Sequence, residues 1–412
     1  MHQTSNEFAP ASQGELQRFV QENDSGERLA LYPVGGRTSL NFGRAATRPG
    51  TLVSLANLTQ TVDYPVRDMT ITIEAGIRMD ELAALLREQG QQLPIDVAQS
   101  NRATLGGVVA INAAGPRRYG LGTMRDYVIG LTAIDAAGRQ FHSGGRVVKN
   151  VAGYDLCKLM VGSLGSLAII TQLTLKLKPL PESTVLLWTS FNAFAEIDSA
   201  LNDLQQSSAR PVVLDVLNSS AAKQVSAEAR QDLPCDGPVL IIGLEGTARE
   251  TAWQVEKLKD ELQQNQPGEI AVTGDESATR LLQALTEFPT ASDAPLTFQA
   301  GMLPSKTLQF IEQATSQNIA VQSHAGDGLV IGHLPDKAST IEQVSGLLKP
   351  LRELACSGRG NLVVLNCDAG WAQDLPTMGE PEPGWPLMQQ LKTSLDPHNI
   401  LNPGRFVFCE ST

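Results

Sequence analysis

Three glycine-rich runs in the first 171 residues, each set beside a β-prone stretch, restrict this chain more than any other feature. Pro33-Val34-Gly35-Gly36-Arg37-Thr38-Ser39 follows the strand-like run 28–33. Thr104 to Gly115 gathers Gly106, Gly107, Asn112, Ala113, Ala114 and Gly115, with little side chain to fill a core. Gly162 to Thr171 sets Gly162 and Gly165 ahead of the β-branched pair Ile169 and Ile170. Backbone N–H groups in a glycine turn wrap an anion, with Thr38 and Ser39 as further donors, and small side chains admit a flat ligand or another backbone. Each run also has an ordinary reading, a Gly-Gly turn for the first and a tight helix–sheet contact for the second. Neither G-x-G-x-x-G nor G-x-x-x-x-G-K-[ST] occurs, which disfavours a Rossmann or P-loop fold.

A chain of 412 residues is too long for one core and is expected to form two large lobes. Strands are predicted at 28–33, 51–55 and 70–76, in two pieces across 127–144 with a turn at Ala136 to Gly138, and along 167–179. Helical spacing of Met79, Leu82, Ala83, Leu85 and Leu86 predicts a helix stopped by Gly90. Beyond KPLPES (178–183) the rhythm changes. Strands at 212–218, 238–244, 297–303, 328–334 and 361–366 alternate with helices at 192–207, 248–264, 305–317 and 339–354. The fold class is therefore α+β, a helix-backed sheet following a glycine-rich lobe. The expected boundaries are 1–180, 181–387 and 388–412.

The net charge of −12 repels nucleic acid and anionic membrane surfaces, so an anionic ligand needs a local cradle. Cys157, Cys235, Cys356, Cys367 and Cys409 are scattered, with no C-x-x-C, and read as reduced thiols rather than cluster ligands. No apolar run approaches the ~20 residues that span a bilayer, and no secretory signal is visible, so a cytoplasmic chain is expected.

PVGGRTSL, TLGGVVAINAAGPRRYG and KNVAGYDLCKLMVGSLGSLAIITQLTLKLKP, in this order and spacing, resemble the FAD-binding domain shared by vanillyl-alcohol-oxidase and p-cresol-methylhydroxylase relatives. The terminal DPHNILNPGRF is similar to the closing segment of the branch that oxidises 2-hydroxy acids. Within it the chain resembles the family of smaller FAD-binding subunits of bacterial glycolate oxidase. The resemblance implies a two-lobed FAD-binding domain of the p-cresol-methylhydroxylase type over 1–180, then an α+β cap covering the isoalloxazine, then a segment returning to the first domain. It implies that Gly35, Gly36, Arg37, Thr38 and Ser39 hold the pyrophosphate of FAD. Thr104, Gly106, Gly107, Asn112, Ala113, Ala114 and Gly115 would line its other side, with Gly165, Ile170 and Arg405 completing the site. His142 is the one candidate tether for covalent attachment, although dissociable FAD is expected.

Relatives that oxidise 2-hydroxy acids alone carry H-x-G-D-G-N-x-H and a later E-H-G, donors suited to a divalent metal and to proton transfer. Here His324-Ala325-Gly326-Asp327-Gly328 keeps the first half, while Leu329 and Ile331 replace the Asn and the second His. The neighbourhood of the E-H-G reads S-G-R-G. His333 shares a strand face with Ile331 and is the candidate replacement, beside His324, for catalysis; no metal ligand is assigned. Arg117, Arg118 and Arg405 are candidate carboxylate or phosphate binders. The expected setting is a complex with a second, catalytic FAD-binding subunit and an iron–sulfur subunit, acting on a small 2-hydroxy acid. Membrane attachment is expected only through those partners, at the inner membrane.

Overall fold

The computed structural model describes residues 4–145, 154–368 and 370–406. The chain divides into two compact units, one of 1–114, 123–180 and 376–412, the other of 115–122 and 181–375. Residues 376–387 thus go with the first unit, and a short excursion at 115–122 belongs to the second.

In the first unit, strands Thr4–Phe8, Gly50–Ser54 and Ala30–Val34 form a parallel sheet with Gly50–Ser54 in the centre. The helix Gln13–Ser25 buries Leu16 and Val20 against Leu31 and Val53. An antiparallel sheet runs Thr61–Asp63, Thr70–Glu74, Ile169–Lys176, Val128–Ile134 and Gln140–Gly144. Gly138, with φ +72°, makes the turn expected between the last two in sequence. The helix Met79–Arg87 buries Met79, Leu82 and Leu86, its expected apolar stripe. The run 104–115 becomes a short helix, Leu105–Ile111, pressed so tightly on strand Thr70–Glu74 that a Cβ on Gly106 would lie 2.9 Å from the Ala75 methyl.

The second unit is an eight-stranded antiparallel sheet: Ile270–Gly274, Ser183–Ser190, Val239–Gly246, Val213–Leu217, Ala320–His324, Leu329–His333, Leu296–Gly301 and Asn361–Cys367. Phe194–Leu204, Ala248–Leu262, Thr307–Ser316 and Ile341–Ser357 cover one face. Ser219–Ala229 and Asp275–Glu287 cover part of the other. Central strands such as Val213–Leu217 are buried on both faces, which explains their nearly unbroken apolar sequence.

Candidate functional site

The three glycine runs converge within the first unit. A Cβ on Gly35 would stand 1.9 Å from Thr104 Oγ1, and one on Gly36 1.6 Å from the Arg102 carbonyl oxygen. Gly35 is therefore required by the Thr104 side chain and Gly36 by the Arg102 backbone, a reason the sequence did not disclose. Gly107 differs: it is exposed, and a Cβ there meets only Thr104 Oγ1, at 3.3 Å. Thr104 is the N-cap residue of the short helix, yet its side chain makes no capping bond. Its hydroxyl lies between Gly35 and Gly107. Thr38 and Ser39 lie half-buried in the turn that follows.

The third run lies against the end of the same helix. Gly162 N–H donates to the Val109 carbonyl at 3.0 Å and Leu164 N–H to that of Ala110 at 2.8 Å. Gly162, Leu164 and Gly165 all have positive φ, and Asn112 ends the helix in the left-handed region. Asn112 Oδ1 and Ser163 Oγ are buried and have no partner among the described residues. Two unsatisfied polar atoms on adjoining loops, beside Gly162 and Gly165 in left-handed backbone, suit a polar ligand laid along this cradle.

The C-terminal segment fastens the same loops. Lys392 Nζ donates to the Ser166 carbonyl (2.8 Å), the Leu401 carbonyl (2.7 Å) and Asp396 Oδ2 (2.5 Å). Asp396 in turn accepts from the Ile400 and Leu401 amides. Asn402 Nδ2 donates to the Leu164 carbonyl, and Arg405 Nη2 to the carbonyls of Leu40 and Phe42. Burial holds the Lys392 ammonium below its ordinary range, opposed by Asp396. Through that one nitrogen Arg405 ties the loop at Leu40 and Phe42 to the C-terminal segment. Arg37 also has a protein partner, an exposed ion pair with Glu7 at 2.5 Å. Ile170 is buried and paired with Ala133, and Gly115 belongs to the second unit. Ala113 and Ala114 continue from Asn112 in the first unit; His142 is exposed, its Nδ1 within 2.8 Å of Thr132 Oγ1.

In the second unit the register sets Asp215 directly across from His324, and His324 across from Leu329. Asp215 and His324 are buried to 0% and 1% exposure. Asp215 Oδ1 lies 2.8 Å from His324 Nδ1, and Oδ2 accepts from Gln322 Nε2 at 2.8 Å. A carboxylate only accepts, so Nδ1 carries the proton. His324 Nε2 is left buried with no partner among the described residues. Tyr119, on the 115–122 excursion, covers Gly326, where a Cβ would lie 2.2 Å from its ring. Arg118 Nε is 3.3 Å from Asp327 Oδ2, within ion-pair range but not aligned as a hydrogen bond. Arg117 is paired with Glu245 at 2.9 Å.

His333 lies apart from His324 with both ring nitrogens bonded to protein. It pairs with Ala320, four residues from His324, roughly 13 Å along the sheet. Nε2–H donates to the Phe288 carbonyl and Nδ1 accepts from Thr297 Oγ1, so both ring nitrogens are used. Burial pushes its pKa down and keeps the ring neutral. Leu329 and Ile331 pack with Ala320, Leu217 and Ile241. Among the described residues no group of three or more His, Cys, Asp and Glu is placed to hold a metal.

A glycine-lined cradle closed by a returning C-terminal segment, in one chain with a helix-backed antiparallel sheet, defines a flavin-dependent oxidoreductase of the two-unit kind. Residues 6–144 match the FAD binding domain, and 180–337 with 375–406 match the C-terminal domain of FAD linked oxidases. Between them these two matches cover most of the chain with domains of FAD linked oxidases, and its cofactor is FAD. It is 27% identical to glycolate oxidase subunit GlcD of Bacillus subtilis (strain 168), over 97% of this chain and 88% of that protein. To glycolate oxidase subunit GlcE of Escherichia coli (strain K12) it is 36% identical, over 46% of this chain and 53% of that one. The fold matches p-cresol methylhydroxylase with substrate bound at a TM-score of 0.77 and 15% identity, covering 98% of this chain and 88% of that one. No helix among the described residues is long and apolar enough to cross a membrane.

Proposed function

We propose that this chain is the FAD-carrying subunit of a complex that oxidises a small 2-hydroxy acid, glycolate first among them, to the 2-oxo acid. The partners are a second FAD-binding subunit and an iron–sulfur subunit, and the complex is cytoplasmic, meeting the inner membrane only through those partners. The observation that carries the reading is the pairing of a well-formed cradle with Leu329 and Ile331 packed into core where metal-dependent relatives place polar donors. The similarity to two named glycolate oxidase subunits supports it.

In this reading the turn 35–39 holds the pyrophosphate, Thr104 and Gly107 face it, and Asn112 and Ser163 supply the polar atoms that now lack partners. Bound FAD supplies a two-electron acceptor. The scattered cysteines give this chain no cluster of its own, so onward electron transfer falls to another subunit.

A second reading, a self-sufficient dehydrogenase, is favoured by one observation: the unpartnered Nε2 of His324, backed by Asp215. Anaerobic stopped-flow reduction of the flavin by glycolate and by D-lactate separates the two, run on the purified chain and on the chain with its co-purifying partners. Reduction only in the complex is the expected result. Rapid reduction of the isolated chain, lost in His324→Ala, replaces the first reading by the second. No reduction in either preparation overturns both.

A further inference from the structure

Leu164 holds the most strained backbone of the cradle. Its φ of +52° lies in the left-handed region, which glycine and asparagine enter readily and a branched aliphatic residue does not. Such a residue stays there only where its surroundings over-determine it, and the 162–166 loop is gripped from two directions. The Gly162 and Leu164 amides donate to the end of the helix Leu105–Ile111. The Leu164 carbonyl accepts from Asn402 Nδ2 at 2.7 Å, and the Ser166 carbonyl from Lys392 Nζ at 2.8 Å. Asn402 lies so close that a Cβ on Gly165 would stand 2.9 Å from its Nδ2. Within this grip Ser163, only 3% exposed, keeps a hydroxyl with no partner among the described residues.

The stretch that supplies Asn402 is seated by a short pairing. It lies on the free edge of strand Ala30–Val34 through one parallel bridge, Leu31 with Leu401. Leu31 N–H donates to the Ile400 carbonyl at 2.7 Å, and Asn402 N–H to the Leu31 carbonyl at 2.9 Å. Asn399, Asn402 and Gly404 are all left-handed, so the pairing does not extend in either direction. Ile400 and Leu401 are buried beneath it, and Arg405 reaches on to the Leu40 and Phe42 carbonyls just past the 35–39 turn. A seat of two residues opens at a lower free energy than the unit as a whole. We propose that residues 396–405 are a strap that closes and opens on the cofactor cradle. Closed, it holds Leu164 left-handed and keeps Ser163 against the cofactor; open, it lets Leu164 relax, and FAD exchanges. The inference rests on the reading that FAD lies against Asn112 and Ser163. Closure and FAD binding are then reciprocal: the factor by which closure tightens FAD is the factor by which FAD favours closure.

The test uses the full chain, with and without FAD. Hydrogen exchange of the wild type, read by mass spectrometry, is expected to slow about tenfold or more over 396–405 when FAD binds. Asn402→Ala removes the bond to the Leu164 carbonyl and is expected to release FAD to an apo-flavoprotein trap about tenfold faster. Leu164→Asn places at 164 a side chain that favours left-handed backbone. It is expected to slow release on its own and to recover most of the loss in the Asn402→Ala background, a rescue that a merely structural bond would not give. The wild-type exchange and the single Leu164→Asn variant decide the matter even where Asn402→Ala fails to fold. Exchange over 396–405 that FAD leaves unchanged overturns the strap and leaves the cradle standing; so does Leu164→Asn releasing FAD no more slowly than wild type, or failing to rescue Asn402→Ala. Ser163→Ala, which removes the unpartnered hydroxyl, is expected to weaken FAD binding. Wild-type FAD affinity in Ser163→Ala takes the cofactor off this loop and overturns the cradle reading and the strap together.

Discussion

Gly36 and Gly107 show how neighbouring glycines of one cradle carry different obligations. Gly36 faces the Arg102 carbonyl, so Gly36→Val must displace the 99–104 backbone. It is expected to cost several kcal/mol of stability, on the order of the larger single-site losses, and to abolish FAD binding as a consequence. Gly107→Ala meets only a hydroxyl at 3.3 Å, within a helix. Its apo protein is expected to be at least as stable as wild type, since Ala gains about 1 kcal/mol over Gly in a helix, while FAD affinity falls. Urea unfolding of both apoproteins and FAD titration separate the two effects; unchanged affinity in Gly107→Ala removes that position from the cofactor surface. His333 makes a different prediction. Its folded pKa lies below 6.5, so the stability it supports is present above pH 6.5 and is lost as pH falls through the lower, folded value. In His333→Gln the thermal midpoint is expected to fall less steeply with acid than in wild type. The glycines, Thr104, Asn112 and His324 were legible from spacing and resemblance. Asp215 and Gln322 were not, because their meaning lies in cross-strand register, although a lone Asp in VLDVL is a signal that a buried partner exists.

At the scale of elements, the clear signals were strands of β-branched residues and helices with large apolar stripes. Val239–Gly246, Leu329–His333 and Ile341–Ser357 lie where periodicity predicts. Ala320–His324 escaped because AVQSH is polar in sequence yet wholly buried, with Gln322 Nε2 and His324 Nδ1 engaged by Asp215 and Ser323 Oγ by the Leu329 carbonyl. Ser219–Ala229 escaped because it buries mostly alanines, which leave no strong hydrophobic period. The helix Trp385–Leu395 carries the buried Lys392, whose three donors join Ser166, Leu401 and Asp396. Lys392→Met keeps the volume but leaves Asp396 buried without its cation, a loss of about 3–5 kcal/mol. The same change frees the 162–166 loop, so FAD is expected to dissociate at least about tenfold faster. Chemical denaturation and the rate of flavin release to an apo-flavoprotein trap measure the two; unaltered release would detach this helix from the cradle.

Across the whole molecule, the acidic surface and the cradle divide the work of recognition: a net charge of −12 holds polyanions off, while backbone amides and small residues admit one cofactor. The first unit is assembled from stretches on both sides of the second, with Lys392, Asn402 and Arg405 supplying its closing contacts. During synthesis, residues 181–375 leave the ribosome before that closing stretch exists. At ordinary elongation speeds this interval lasts roughly 10–40 s. Throughout it the early strands wait with an unfastened cradle, exposed to chaperones and proteases, and flavin capture becomes a late event in the life of the nascent chain.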